Sequence, residues 1–207
     1  VGGDGYEDVR DAGIFADRYA PDAELYYNDF NVWRPAHVDG IVTMVRKLQK
    51  EGIRIDGVGI QAHWGLNYPK TEYIEHAIDT LHSLGVKVMI TELDVDVLPI
   101  TREGQVIGQS LTDPLYQHEE FEEYLDPYKD GLPTEVEQHL ADRYEELFRI
   151  FYNRRDKIDR VTLWGLTDDS SWKNGYPVPG RTNYPLLWNR DYTPHRALQS
   201  VLEVPVK

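Results

Sequence analysis

The chain has 207 residues, 22 Lys+Arg against 36 Asp+Glu, a net charge of −14 at pH 7 and no cysteine. That excess of acid excludes nucleic acid and anionic membrane surfaces as partners, because affinity for phosphates rests on basic side chains that release counterions. The lack of cysteine removes disulfide frameworks, thiolate nucleophiles and Cys-ligated zinc, and the 41% hydrophobic content with no apolar run of about 18 residues predicts a globular core without a membrane-spanning helix.

In chain order, the first element is a helical lead-in carrying Val9, Ala12, Phe15, Ala16 and Tyr19. The Pro21-Asp22 turn leads into a first strand over residues 24–30 (ELYYNDF). A helix with Val38, Ile41, Val45 and Leu48 on one face follows, and Gly52 stops it. The second strand covers residues 55–63 (IDGVGIQAH), and its helix carries Ile74, Ile78, Leu81 and Leu84 before Gly85. The third strand, residues 86–95 (VKVMITELDV), is a nearly unbroken apolar run that ends in acids, the pattern of a parallel strand covered on both faces. A loop over residues 98–133 is long enough to imply a function, here the rim of a cleft, and its acidic stretch 119–123 reads as a solvated surface. Thr134 and Glu137 predict a capping box for a helix whose apolar face is Val136, Leu140, Tyr144, Leu147 and Phe151. The fourth strand is placed at residues 160–167 (RVTLWGLT), followed by an aromatic and proline-rich loop to about Thr193 and a closing helix at residues 196–203.

Four strand–helix units in strict alternation predict an α/β fold with a parallel sheet, either open and doubly wound or closed as a (β/α)8 TIM barrel. No glycine-rich phosphate loop follows any strand, which disfavours nucleotide binding, and no cofactor is implied. A barrel takes eight strands and about 250 residues. On that reading the chain covers about the last four βα units, and its first residues, Val1-Gly2-Gly3-Asp4, look cut from something longer.

In either architecture the C-terminal strand ends face the site. Here they read Asn28-Asp29-Phe30-Asn31, Gln61-Ala62-His63-Trp64, Thr91-Glu92-Leu93-Asp94 and Trp164 to Asp169. Glu92 emerges directly from an apolar strand, where its charge needs partners, and His63 and Asp94 are the candidates; a solvated cap of the next helix is the plainer alternative. His63 alone is equally compatible with a structural hydrogen bonder. Trp164 and Trp172 offer flat apolar surfaces suited to the C–H faces of a sugar ring, or ordinary packing at the strand ends. Asp94 and Asp96 hint at a metal, but no HExxH, EF-hand loop or paired histidine accompanies them, so no metal is expected.

The elements ELYYNDFN, GVGIQAHW, VMITELDV and VTLWGLTDDSSW, in this order and followed by TNYPLLWNRDYTPHRAL, resemble the last four strands of glycoside hydrolase family 10, the endo-1,4-β-xylanases. The resemblance covers nearly the whole chain. It implies that Glu92 is the nucleophile of a retaining double displacement on xylan, that His63 hydrogen-bonds this carboxylate and that Asp94 stands behind the histidine. It further implies that Asn28 and Gln61 line the cleft and that Trp164 and Trp172 surround the glycone-side sugars. Phe30 departs from the family's tyrosine in YNDYN and removes a phenolic hydroxyl there. The family's general acid/base glutamate lies in a WDVVNE-like element, which this chain lacks. Asp29, Asp168 and Asp169 are conceivable substitutes, although each belongs to another motif. The expectation is therefore a secreted, extracellular or periplasmic enzyme on xylan or xylo-oligosaccharide, with an intracellular enzyme that trims imported oligosaccharides as the variant. The missing half-barrel, with the acid/base, would come from the same protein, a companion chain or a paired copy. A fragment that only binds xylan-type carbohydrate, and a related barrel glycosidase acting on cellulose or mannan, are the competing readings.

Overall fold

The computed structural model describes residues 5–98, 125–176 and 179–205. The expected cleft rim at residues 98–133 and its acidic stretch fall mostly outside the described residues. The elements are α1 (Tyr6–Tyr19), β1 (Tyr26–Asp29), α2 (Pro35–Lys50), β2 (Gly57–Ile60), β3 (His63–Gly65), α3 (Thr71–His82), β4 (Lys87–Asp96), α4 (Thr134–Asn153), β5 (Ile158–Leu163) and α5 (Arg196–Glu203), with 3-10 turns at Asp168–Ser170 and Trp172–Asn174. The chain forms two compact units, one from residues 1–62, 69–93 and 153–162, the other from residues 63–68, 94–152 and 163–207.

In the first unit β1 pairs in parallel with β2, and β2 with the start of β4, in the registers Asn28↔Gly59 and Gly59↔Met89. β5 also pairs with β4. Parallel neighbours require crossovers, and α2 and α3 supply them. Their buried faces are those the periodicity picked, Val38, Ile41, Val45 and Leu48 on α2 and Ile74, Ile78 and Leu81 on α3, but the expected Leu84 lies past the end of α3 and is half-buried. Gly52 and Gly85 take left-handed φ of 72° and 76° just past these helices, a conformation that costs glycine least. The far end of the unit is held by charge: Arg154 donates to Asp79 and Glu75, and Lys157 donates to Asp79 at 2.6 Å.

In the second unit β3 runs parallel to the end of β4, with His63 opposite Asp94. Leu140, Tyr144, Leu147 and Phe151 of α4 are buried, and the Trp64 and Phe151 rings meet at 6.3 Å.

Four local expectations need correction. The strand predicted over residues 55–63 is two strands, because Ala62 adopts φ 66° and breaks the extension between β2 and β3. The fourth strand ends at Leu163, not at Thr167, since Gly165 turns the chain with φ 142° and a side chain there would meet Leu186 at 2.8 Å. Phe15 and Tyr19 of α1 do not join the core; both are exposed and their rings lie 4.4 Å apart. No capping box starts α4: the Glu137 amide donates to the Pro133 carbonyl at 2.9 Å, and its carboxylate lies 3.7 Å from His195 Nδ1 and 3.5 Å from Arg196 Nε.

Candidate active site

The predicted residues fall into two clusters, one per unit. In the first, Asn28 on β1 donates from Nδ2 to Glu92 Oε1 at 2.8 Å, and its Oδ1 accepts from the Thr91 hydroxyl at 2.7 Å. The amide is thus oriented by two neighbours on one strand, with its donor end committed to the carboxylate. Room for it comes from Gly59, where an added Cβ would stand 2.5 Å from Asn28 Oδ1 and 2.8 Å from Thr91 Cγ2. Gln61 contributes through its backbone, its carbonyl accepting from the Glu92 amide at 2.9 Å. The left-handed Ala62 directly after it is a strained conformation of the kind that collects at functional sites. Phe30 is 59% exposed just beyond β1, with its ring 6.5 Å from that of His37.

In the second cluster Asp94 is fully buried and its Oδ2 receives two groups, His63 Nδ1 at 3.0 Å and Trp172 Nε1 at 2.7 Å. An ionised carboxylate only accepts, so the imidazole carries its proton on Nδ1 when neutral. The His63 ring meets Trp172 edge-on at 4.8 Å and Trp164 at 6.4 Å. Both indoles present surface to solvent, 46% for Trp164 and 37% for Trp172. The end of β4 thus anchors an exposed aromatic surface through one buried carboxylate.

Sequence reasoning missed Tyr176 and Lys173 in this cluster and weighed Asp96 only as a metal ligand. Tyr176 stacks on Trp172 at 5.0 Å and 27° with more than half its surface exposed, and only its place in an aromatic loop pointed to it. Lys173 and Asp96 are buried, with the Lys173 ammonium 3.5 Å from Asp96 Oδ2 and 4.9 Å from the centre of the Trp172 ring. Tyr68 and Tyr144 also lie within the field of the buried acids. Burial first, then the charges of Asp96 and Asp94, push the Tyr68 hydroxyl well above its ordinary value, and burial with Asp94 and Asp168 does the same to Tyr144. Both stay neutral hydroxyls through the physiological range.

The conceivable substitutes for a second carboxylic acid are engaged elsewhere. Asp29 takes the Tyr27 hydroxyl at 2.5 Å, His37 Nε2 at 3.0 Å and the Phe30 amide at 2.8 Å. Asp168, with no exposed surface, holds His195 Nε2 at 2.6 Å and the Leu186 amide at 3.0 Å. Asp169 accepts from Thr167 Oγ1 at 2.5 Å. The first unit also contains a cavity of about 370 Å³ lined by Tyr6, Tyr27, Asp29, His37 and Lys47; Asp29 borders it, while Asn28, Phe30, Gln61 and Glu92 do not.

Parallel strands alternating with helices, with polar or aromatic side chains at the C-terminal strand ends of each unit, are those of a chain of the α/β-barrel class. The glycosyl hydrolase family 10 profile matches residues 3–204, and the chain belongs to that family, whose members fold as (β/α)8 barrels. It is 40% identical over 198 residues to endo-1,4-beta-xylanase A of Xylanibacter ruminicola, covering 95% of this chain and 52% of that protein. It is 36% identical over 198 residues to an endo-1,4-beta-xylanase of Geobacillus stearothermophilus, covering 95% and 53%. Among solved structures, a GH10 endoxylanase retrieved from a sugarcane soil metagenome aligns with TM-score 0.83 and 39% identity over 95% of this chain and 53% of that one. A mutant solved in complex with xylotriose aligns with TM-score 0.78 and 34% identity over 97% and 54%. The chain spans about half the length of the curated relatives it matches.

Proposed function

We propose that this chain is the C-terminal, nucleophile-bearing half of the catalytic barrel of a retaining endo-1,4-β-xylanase. The observation that carries the reading is the Asn28 amide fixed at 2.8 Å from the Glu92 carboxylate at the C-terminal strand ends. In the double displacement Glu92 attacks the anomeric carbon of a xylosyl unit. The bond to the leaving oxygen breaks as that oxygen takes a proton from a second carboxylic acid, and water later cleaves the glycosyl ester with net retention. Asn28, Gln61 and Phe30 are assigned to the sugar-binding surface around Glu92. His63 and Asp94 are assigned as positioning residues, with Trp164 and Trp172 as the stacking surface. The engaged states of Asp29, Asp168 and Asp169 support an acid/base outside this chain, on a half-barrel from the same protein, a companion chain or a paired copy. A polymeric substrate also favours action outside the cytoplasm, and we propose secretion on that ground.

The test uses a 2-deoxy-2-fluoro xylobioside with a dinitrophenolate leaving group, which departs without protonation and so bypasses the missing acid. Incubation with the 207-residue chain is expected to add one glycosyl unit to the peptide containing Glu92, and Glu92→Gln is expected to block it. Labelling elsewhere, or none while xylotriose still binds, would overturn the nucleophile assignment. That second outcome would favour the binding-only reading, which rests on the exposed surfaces of Trp164 and Trp172.

A further inference from the structure

The 3-10 turn Trp172–Asn174 presents Trp172 outward and turns Lys173 inward. Its shape is locked from below. Ser171 Oγ accepts from the Lys173 amide at 3.2 Å, and Asn174 Nδ2 donates to the carbonyls of Asp168 and Ser171 at 2.7 and 3.0 Å. The Lys173 side chain is 5% exposed, and its ammonium lies 3.5 Å from Asp96 Oδ2, 3.9 Å from Asp94 Oδ1 and 4.9 Å from the centre of the Trp172 ring. Among the described residues, Asp94 Oδ1 and Asp96 Oδ2 have no hydrogen-bond partner and are buried. Their other oxygens are satisfied, Asp94 Oδ2 by His63 and Trp172, Asp96 Oδ1 by Asn183 Nδ2 at 2.9 Å and the Leu98 amide at 3.0 Å. Both of these unbonded oxygens face the Lys173 ammonium, and buried carboxylate oxygens without a cation or donor beside them are costly.

We infer that Lys173 is the shared counter-ion of Asp94 and Asp96, and that this pair of residues, Lys173 and Asp96, positions His63 and Trp172 by holding Asp94 in place as their common acceptor. Neither is exposed; Asp96 acts through Lys173 and Asp94, and Lys173 acts through Asp94 and from beside the Trp172 ring. Asp96 alone would crowd Asp94 with negative charge, and Lys173 alone would leave Asp94 in a simple pair, so the two come as a set. This deepens the assignment of His63 and Asp94 as site residues, but its readout needs no turnover, so a failure to label Glu92 leaves it standing.

The test is NMR on the full chain: the ring ¹⁵N shifts of His63, which report its tautomer, and the exchange protection of the Trp172 indole proton. The native chain should show the Nδ1–H tautomer and a protected indole. Lys173→Met should lower indole protection by about tenfold or more, the change expected when roughly 1.4 kcal/mol of hydrogen bonding is lost, and mix the His63 tautomers. Adding Asp96→Asn to Lys173→Met removes the surplus charge and should restore both signals, while Lys173→Arg should keep them. If Lys173→Met does not fold, the double variant must regain a cooperative melt together with the indole signal. Native signals in Lys173→Met, or a folded double variant without them, would overturn the proposal.

Discussion

Removing one oxygen atom from the core tests how the indole-bearing loop is tied to the barrel strand. The Tyr144 hydroxyl, on the fully buried face of α4, donates to the Pro185 carbonyl at 2.7 Å, and the same carbonyl accepts from the Val95 amide at 3.0 Å. One oxygen thus joins α4, the end of β4 and the loop that returns from Trp172. In Tyr144→Phe the carbonyl keeps its bond to Val95, so the change loses one net hydrogen bond and does not leave a bare buried acceptor. The expected cost is about 1 kcal/mol, within the usual 0.5 to 1.5, and below the roughly 1 to 3 of an orphaned group. The hydroxyl is neutral in the native state, because burial and the nearby Asp94 and Asp168 charges push its ionisation well above the ordinary value, so the loss should not vary between pH 6 and 9. Urea unfolding followed by tryptophan fluorescence should show a lower midpoint at unchanged slope, and melting should fall by about 2 to 4 °C for a chain of this size. A loss above about 3 kcal/mol, or none, would refute the idea that Val95 shares the carbonyl.

Two further changes probe the first unit. Gly59→Ala places a Cβ 2.5 Å from Asn28 Oδ1, so the oriented amide must move away from Glu92; we expect a loss of about 1 to 3 kcal/mol in stability from overpacking and slower labelling of Glu92 by the fluorosugar, and an unchanged labelling rate would show that the amide is not needed there. Burial raises the Asp79 carboxyl, but hydrogen bonds from Arg154 and Lys157 outweigh it and hold the group below its ordinary value, so its contribution to stability is present above about pH 4 and is lost as pH falls through the lowered folded value. Arg154→Met should therefore destabilise at pH 7 by the roughly 0.2 to 1 kcal/mol of a solvent-screened pair, the difference shrinking below about pH 4; a pH-independent difference in urea midpoints would exclude the ion pair as its source.

What the chain disclosed in advance follows from which forces act locally. Helices α2, α3 and α4 were legible because burial selects one stripe every 3.6 residues, and the structure buries those stripes except for Leu84 and Val136, which are half-buried. Helix α1 shows the limit of the same rule, since Phe15 and Tyr19 fit the period yet lie in solvent against each other. The break at Ala62 was not legible, because nothing in an alanine announces a left-handed φ; only the surrounding hydrogen bonds impose it. Polar residues after an apolar run are unusual, and Asn28, Glu92, His63 and Asp94 came from that signal, with the tryptophans from their place near the last strand and from the family resemblance, even where the strand ends themselves fell a few residues off. Lys173 escaped it: a lysine beside a surface tryptophan reads as solvated, and its burial follows from a turn held by Ser171 and Asp168 nearby and by the Asn183 amide on Asn174 Oδ1 at 3.0 Å, contacts that no hydropathy pattern signals.

The end of β4 makes the physical case for a site at these residues. Along Lys87–Asp96 the side chains pass from an apolar interior, Val88 and Ile90, to a half-buried Glu92 and then to Asp94 and Asp96, both buried. Buried ions are poor investments in stability: well-packed apolar residues of similar volume usually do as well or better, because desolvation consumes most of the attraction. The fold nonetheless surrounds these two acids with His63, Trp172, Lys173, Asn183 and the Leu98 amide, a set of partners drawn from several segments. What such an arrangement gains over an apolar one is direction, since hydrogen bonds fix the orientation of an imidazole and an indole in a way that packing alone does not. Replacing Asp94 and Asp96 by Leu and Lys173 by Met together should therefore leave a folded chain of similar or greater stability in urea, while the fixed orientations of His63 and Trp172 are lost. A triple variant that unfolds would show instead that the acids serve the fold.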